Sequence, residues 1–164
     1  MSALSARTRA HQGPGQWLAL AAFALAAFIT AAIGGLGVQG TAAEYNSLAQ
    51  PSWAPPTWLF GPVWTVLYAM IALSGWLVWR RTGWTPALTV FAGHLVLNAI
   101  WTPIFFGAGR YGLALADIVA LWLAIATLIV LFRPVSRPAT LLLTPYLLWV
   151  TYATALNAAI WHLN

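Results

Sequence analysis

Apolar positions in this chain come in five long stretches, at residues 17–37, 58–79, 86–106, 112–132 and 139–162. A helix needs about 20 apolar residues to cross roughly 30 Å of hydrocarbon, and each stretch is of that order. Between them stand residues that stop helices or resist burial in lipid: Pro51, Pro55 and Pro56; Arg80, Arg81 and Gly83; Gly107, Gly109 and Arg110; Arg133, Pro134, Arg137 and Pro138. Alternation at period two is absent, so the pattern argues against a β-barrel. It predicts an all-α membrane protein, a five-transmembrane-helix bundle. Residues 1–16 form an N-terminal arm and residues 17–164 a single domain without internal repeats. Arg7 and Arg9 ahead of an apolar run also outline a secretory signal peptide, but the run exceeds the roughly 7–15 residues of such a core, which favours a retained helix.

Charge sharpens this picture. Only nine of 164 side chains are formally charged, and the 35 residues between Glu44 and Arg80 carry none. A soluble domain keeps roughly a quarter or more of its surface charged, so lipid is the solvent for most of this one. If the helices alternate, Arg7, Arg9, Arg80, Arg81, Arg133 and Arg137 share one side and Arg110 stands alone on the other. That bias predicts a cytoplasmic N-terminus and an external C-terminus. The net charge of +5 is then topological, and no nucleic-acid partner is expected. There is no cysteine, so neither a disulfide framework nor a thiol nucleophile is available.

Eleven tryptophans change the picture again. Trp17, Trp58, Trp76, Trp79, Trp84 and Trp161 fall near span ends, where indoles anchor helices at the headgroups. Trp64, Trp101, Trp122 and Trp149 lie deeper. Helical spacing groups Phe60, Trp64 and Tyr68 on the second span, His94, Asn98, Trp101 and Phe105 on the third, and Tyr146, Trp149, Ala153 and Asn157 on the fifth. Polar groups at membrane depth need partners or a cavity. The stripes either converge on a chamber for a flat, mostly apolar ligand or hydrogen-bond across helices at about 0.6 kcal/mol each. On the first span Ala27, Ala31 and Gly35 form a small-residue row that allows close helix contact, either within one subunit or between subunits.

Four segments are recognisable. Pro51-Ser-Trp-Ala-Pro-Pro56, Phe60-Gly-Pro-Val-Trp64 through Tyr68, Leu97-Asn98-Ala-Ile-Trp101-Thr-Pro103 through Gly107, and Pro145-Tyr146-Leu-Leu-Trp149 through Asn157 resemble the tryptophan-rich sensory protein family. That family includes the bacterial TspO proteins and the mitochondrial translocator protein, or peripheral benzodiazepine receptor. The resemblance runs from about residue 44 to 164. It implies a five-helix bundle, commonly a homodimer, that binds tetrapyrroles such as protoporphyrin IX and haem, and often sterol-like or synthetic aromatic molecules. No obligatory cofactor is implied; porphyrin or haem enters as ligand. Carried over residue by residue, the ligand chamber would use Trp64, Tyr68, Asn98, Trp101, Trp149 and Ala153, with Tyr45 reaching in from the first loop. The Pro51–Pro56 stretch would be a stiff lid, because each proline fixes its own φ and restricts its predecessor.

Two departures stand out. His94 occupies a position where many relatives carry glutamine, and the expectation is a hydrogen-bonding residue of the same chamber rather than an iron ligand. No basic residue follows Tyr152 as the proposed sterol-recognition pattern requires, which weakens the sterol expectation. Asp117 is expected in the first turn of the fourth helix, favourable to its N-terminus and close enough to pair with Arg110. Three function classes follow: a porphyrin-binding sensor or scavenger acting under oxygen, light or stress; a tetrapyrrole or sterol transporter; and a light-dependent porphyrin-degrading enzyme. Catalytic residues and a metal site are assigned to none of these positions, because no nucleophile–base pair or ligand cluster falls within the spans. The bacterial inner membrane is the expected location, with the outer membrane as the alternative.

Overall fold

The computed structural model describes residues 13, 15–37 and 42–164, the side chains of Ala42 and Glu44 excepted. The expected N-terminal arm with Arg7 and Arg9, and the Glu44 side chain, lie outside the described residues. Five long helices follow one another: α1 Gly15–Gly37, α2 Phe60–Thr82, α3 Pro86–Thr102, α4 Tyr111–Phe132 and α5 Arg137–Leu163. With their end turns, all five are long and apolar enough to cross a membrane, and among the described residues there is no strand. This is an integral, multi-pass membrane protein. The helix limits fall within a few residues of those expected, the usual uncertainty of helix ends.

The stops are the ones the sequence advertises. Gly83 ends α2 at φ 67°, a left-handed conformation that glycine adopts without a Cβ penalty, and its N–H bonds the Trp79 carbonyl at 2.8 Å. Pro86 then opens α3 at a position where its missing N–H costs nothing. At the far end Pro103 starts a single π-turn, Pro103–Gly107, and Gly109 at φ 60° reverses the chain into α4. Ser136 caps α5, its hydroxyl accepting from the Ala139 N–H at 3.3 Å.

α4 and α5 pack together along their length, α3 packs on α4, and α1 lies against α2 and α3. The core runs through Ile71, Val78, Leu88, Ile125, Leu128, Phe132, Leu143 and Val150, all fully buried. The Arg81 guanidinium donates to the Val135 carbonyl, and Ser74 Oγ donates to the Ala139 carbonyl at 2.9 Å. The 80–85 and 133–138 connections therefore share one end of the bundle. At the opposite end Asn164 clasps the first loop, accepting from the Ala49 N–H at 3.0 Å and donating to the Ala49 carbonyl at 3.1 Å.

Two expectations about the surface need correction. Trp17, Trp58, Trp84 and Trp161 are exposed at span ends, as anchors are. Trp76 is buried instead: its Nε1 donates to the Gln16 carbonyl at 2.9 Å, and the Arg80 guanidinium sits 4.6 Å from its ring centroid. Trp79 is half-buried against the core. Asp117 is the seventh residue of α4, beyond its first turn, and no ion pair joins it to Arg110; its Oδ2 is buried without a hydrogen-bond partner.

Candidate functional site

The polar stripes of α3 and α5 meet each other in the bundle interior. Asn98 sits where three helices approach: it accepts from the Tyr68 hydroxyl at 2.7 Å and donates through Nδ2 to the Tyr146 hydroxyl at 2.8 Å. Asn157 accepts from Trp101 Nε1 at 3.1 Å and donates to the Tyr111 carbonyl at 2.9 Å. Trp122 bridges α4 to α5 by donating to Thr151 Oγ1 at 2.8 Å. Of the two alternatives open in the sequence, cross-helix hydrogen bonding accounts for both asparagines. Burial at membrane depth demands these pairs, since an orphaned amide there would cost far more than the pair contributes.

A cavity of about 680 Å³ opens on the other side of Tyr68, between α1, α2, the end of α3 and the first loop. Ligand sites commonly have about 300–1,000 Å³. One wall is aromatic. Trp64 and Tyr68, one helical turn apart on α2, stack with centroids 5.3 Å apart and planes at 29°, and Phe60, Trp101 and Phe106 extend the surface. The facing wall on α1 is built mostly of small residues, Ala24, Ala27, Ala31, Gly34 and Gly35, with Phe28 at its outer margin as the one large side chain among the described lining residues of that helix. Such a slot admits a planar aromatic body, with dispersion contact over both faces.

Within one chain the small-residue row of α1 divides: Ala27 is buried in the bundle, while Ala31 and Gly35 border the cavity. A Cβ added at Gly35 would meet nothing within 4 Å, so among the described residues no helix of the same chain presses on that position. Close approach occurs elsewhere, at Gly75, where an added Cβ would lie 2.7 Å from the Phe91 ring and 2.8 Å from the Phe23 ring.

Of the residues singled out in the sequence, Tyr45, Trp64, Tyr68 and Trp101 line the cavity. The other four lie behind it. Asn98 is buried one hydrogen bond behind Tyr68, and Ala153 is buried in the α5 core. His94 is 1% exposed, its Nδ1 paired with the Phe91 carbonyl and its Nε2 without a partner. Trp149 stands behind Phe60, ring centroids 6.0 Å apart, with its Nε1 buried and unpaired. Phe60, which helical spacing groups with Trp64, lines the cavity too, and so do Phe106 and Thr102, which no stripe in the sequence singles out. Their signal was weak, since both sit at the π-turn, where regular helical spacing no longer predicts which residues share a face.

The first loop closes the end of the slot. A short helix, Ala42–Ser47, presents Tyr45 inward, its ring edge-on to Phe60 at 5.8 Å and its hydroxyl buried without a partner. Burial, and secondarily the nearby Tyr152 phenol, pushes the Tyr45 hydroxyl up to about 12, so it stays protonated across physiological pH. Gln50 Nε2 donates back to the Tyr45 carbonyl. The Pro51–Pro56 stretch lies toward α5, where the Tyr152 hydroxyl donates to the Trp53 carbonyl at 2.8 Å and the two rings pack 5.6 Å apart. Among the described residues of this loop and its end turn, Tyr45 and Thr57 reach the cavity lining.

The sequence matches the TspO/MBR family over residues 19–162. Among curated proteins it is 41% identical to the tryptophan-rich protein TspO of Chlorobaculum tepidum over 110 residues, covering 65% of this chain and 70% of that one. It is 39% identical to the translocator protein of Homo sapiens over 111 residues, 65% of this chain and 66% of that protein. It is 38% identical to the tryptophan-rich sensory protein of Cereibacter sphaeroides over 106 residues, 65% and 67% of the two chains. The matched segments thus span about two thirds of each relative's length.

Proposed function

The chain belongs to the TspO/MBR family, and from that premise we propose that it is a membrane-embedded binding protein for tetrapyrroles of the protoporphyrin IX and haem type. Its role in this reading is to sense or scavenge them. One observation carries the reading: an aromatic wall of Trp64, Tyr68 and Trp101 faces a wall made mostly of alanine and glycine, with Phe28 at its margin, across a cavity of about 680 Å³. A flat macrocycle gains stacking on one side and close backbone approach on the other. Arg110, at the same end of the bundle as the first loop, supplies the cation that a carboxylate-bearing ligand would meet near the headgroups.

A second reading, a carrier of the same ligands, draws on the cavity's outer margin. Ala24, Phe28, Gly35, Gly61, Thr65 and Ala69 line it and are also exposed on the lipid-facing surface of α1 and α2. A hydrophobic ligand gains a lateral route from the bilayer that way.

The test is purified protein in detergent titrated with protoporphyrin IX, by tryptophan quenching and absorbance, in darkness and under light. Saturable binding in both conditions, lost in Trp64→Ala, supports the binding protein. Light-dependent loss of the porphyrin with a defined product moves the assignment to an enzyme. Saturable binding absent from the folded protein sinks the reading. For orientation we propose a cytoplasmic arginine-rich end. A cysteine placed at Ser47 is then labelled from outside intact cells and one at Pro134 is not. Pro134 is exposed, whereas Ser136 is buried as the α5 cap and would report poorly.

A further inference from the structure

The hydrogen bonds behind the cavity form a chain whose sense is undetermined until its last member is considered. Tyr68, Asn98 and Tyr146 can be satisfied in two ways. Either both phenols donate away from the cavity, or the Asn98 amide is reversed and Tyr68 keeps its hydrogen for the cavity. Spacing does not separate these, because amide nitrogen and oxygen are nearly isosteric.

His94 separates them. Its Nδ1 faces the Phe91 carbonyl, which only accepts, so Nδ1 carries the hydrogen and a neutral ring holds a lone pair at Nε2. That Nε2 is buried and has no direct partner. The imidazole lies 6.0 Å from the Tyr146 ring, in an edge arrangement, and one helical turn from Asn98 on α3. Among the described residues no other hydrogen bond engages the Tyr146 hydroxyl besides the one from Asn98. A buried acceptor and a phenol with a hydrogen to give, on rings 6.0 Å apart, are groups that one bridging water would complete.

We propose that His94 sets the direction of this relay. The Tyr146 hydroxyl donates to His94 Nε2 through one water, its oxygen then accepts from Asn98 Nδ2, and Asn98 Oδ1 accepts from Tyr68. Every donor points away from the cavity toward the Phe91 carbonyl. Tyr68 therefore meets the ligand as an acceptor. Its oxygen lies on the cavity wall, 3.9 Å from where a Cβ on Gly34 would sit. The Thr102 hydroxyl nearby serves in either sense and does not discriminate. At Tyr68 the slot thus favours flat aromatic ligands that carry an N–H or O–H donor on their edge over equally shaped ligands that carry only acceptors. The Tyr45 hydroxyl, like that of Thr102, serves in either sense. This rests on the reading of the cavity as a ligand site. His94 is a positioning residue in it.

Carbazole and dibenzofuran test the selection, since they share one planar shape and differ by an edge N–H against an edge oxygen. Each is titrated into the full-length protein by calorimetry in one detergent, with empty micelles subtracted. The wild type should bind carbazole roughly fivefold more tightly, the worth of one neutral hydrogen bond. His94→Leu removes the terminal acceptor, so Tyr146 turns its hydrogen to Asn98, the amide reverses, and the preference should invert toward dibenzofuran. His94→Gln supplies an amide oxygen in place of Nε2 and should restore the carbazole preference. Tyr68→Phe should erase it. Isotope-labelled histidine should report hydrogen on Nδ1 and a hydrogen-bonded lone pair on Nε2. Equal affinities in the wild type with intact binding overturn the relay and leave the cavity standing. An unchanged preference in folded His94→Leu overturns the role of His94. Failure of both probes and of protoporphyrin IX to bind overturns the ligand site and the inference with it.

Discussion

The contact between α1 and α2 is closed at one end and open at the other, although the same two helices make both. At the arginine-rich end, Phe23 of α1 and Phe91 of α3 press onto Gly75 of α2, and Trp17 stacks on Trp76 at 6.0 Å. Toward the first loop, α1 offers Ala31, Gly34 and Gly35, while α2 offers Trp64 and Tyr68, and the space between is left as a cavity. Glycine serves opposite ends in the two places. At Gly75 it lets rings approach the backbone; at Gly35 it keeps a wall flat. A bundle that packed both ends alike would leave no cavity, so the difference marks where close packing gives way to open space.

Gly75→Leu should break the closed end outright. Its branched side chain has nowhere to go between two rings already at contact, and overpacking of this kind costs about 1–3 kcal/mol, here at the upper limit. Thermal unfolding in detergent should show the loss. If Gly75→Leu is as stable as the wild type, the closed end is softer than described. Ala31→Leu is the counterpart at the open end. It fills the slot without disturbing the core, so stability should hold while porphyrin affinity drops about tenfold, or about 1.4 kcal/mol. Unaltered affinity would place the ligand elsewhere.

This contrast also explains what the sequence made legible. The five spans, their proline and glycine stops and the shared arginine end are written in local chemistry, and each lies where hydropathy put it. Tyr45, Trp64, Tyr68 and Trp101 were grouped by spacing and resemblance, and they line one cavity. His94, Asn98, Trp149 and Ala153 were grouped with them, yet they lie behind its wall. Periodicity shows which residues share a helix face; it does not show whether that face meets a cavity or another helix. Trp76 illustrates the same limit. A tryptophan near a span end reads as an anchor, and only its hydrogen bond to the Gln16 carbonyl shows that α1 covers it. The row of small residues on α1 was visible, but small residues both permit contact and leave space, and the neighbouring helix decides which.

A smaller effect separates aromatic groups that touch the slot from those that do not. Trp161 is exposed at the end of α5, its ring resting on Gly112, where an added Cβ would lie 2.9 Å away. Trp161→Ala should therefore leave porphyrin affinity within about twofold, a change near 0.4 kcal/mol. Trp64→Ala measured beside it should fall well outside that band. Equal losses in two folded variants would remove the distinction between lining and anchoring indoles.

The smallest expected effect is also the sharpest test of the open end. Gly35→Ala and Gly75→Ala are the same chemical change on two helices of one contact. At Gly75 the new methyl group meets rings at 2.7 and 2.8 Å, so Phe23 and Phe91 must move and stability should fall. At Gly35 it meets nothing within 4 Å, and alanine relieves the backbone freedom of a glycine in the last turn of α1. That relief is worth about 0.5–1 kcal/mol in a helix interior and less in a last turn, so Gly35→Ala should leave stability unchanged or slightly raised. Porphyrin affinity should shift only slightly, since one methyl group thickens the flat wall without filling the slot. Opposite signs of stability change at the two glycines are the expected result. Matching losses would mean that α1 presses on α2 along its whole length and that the slot is narrower than its walls imply.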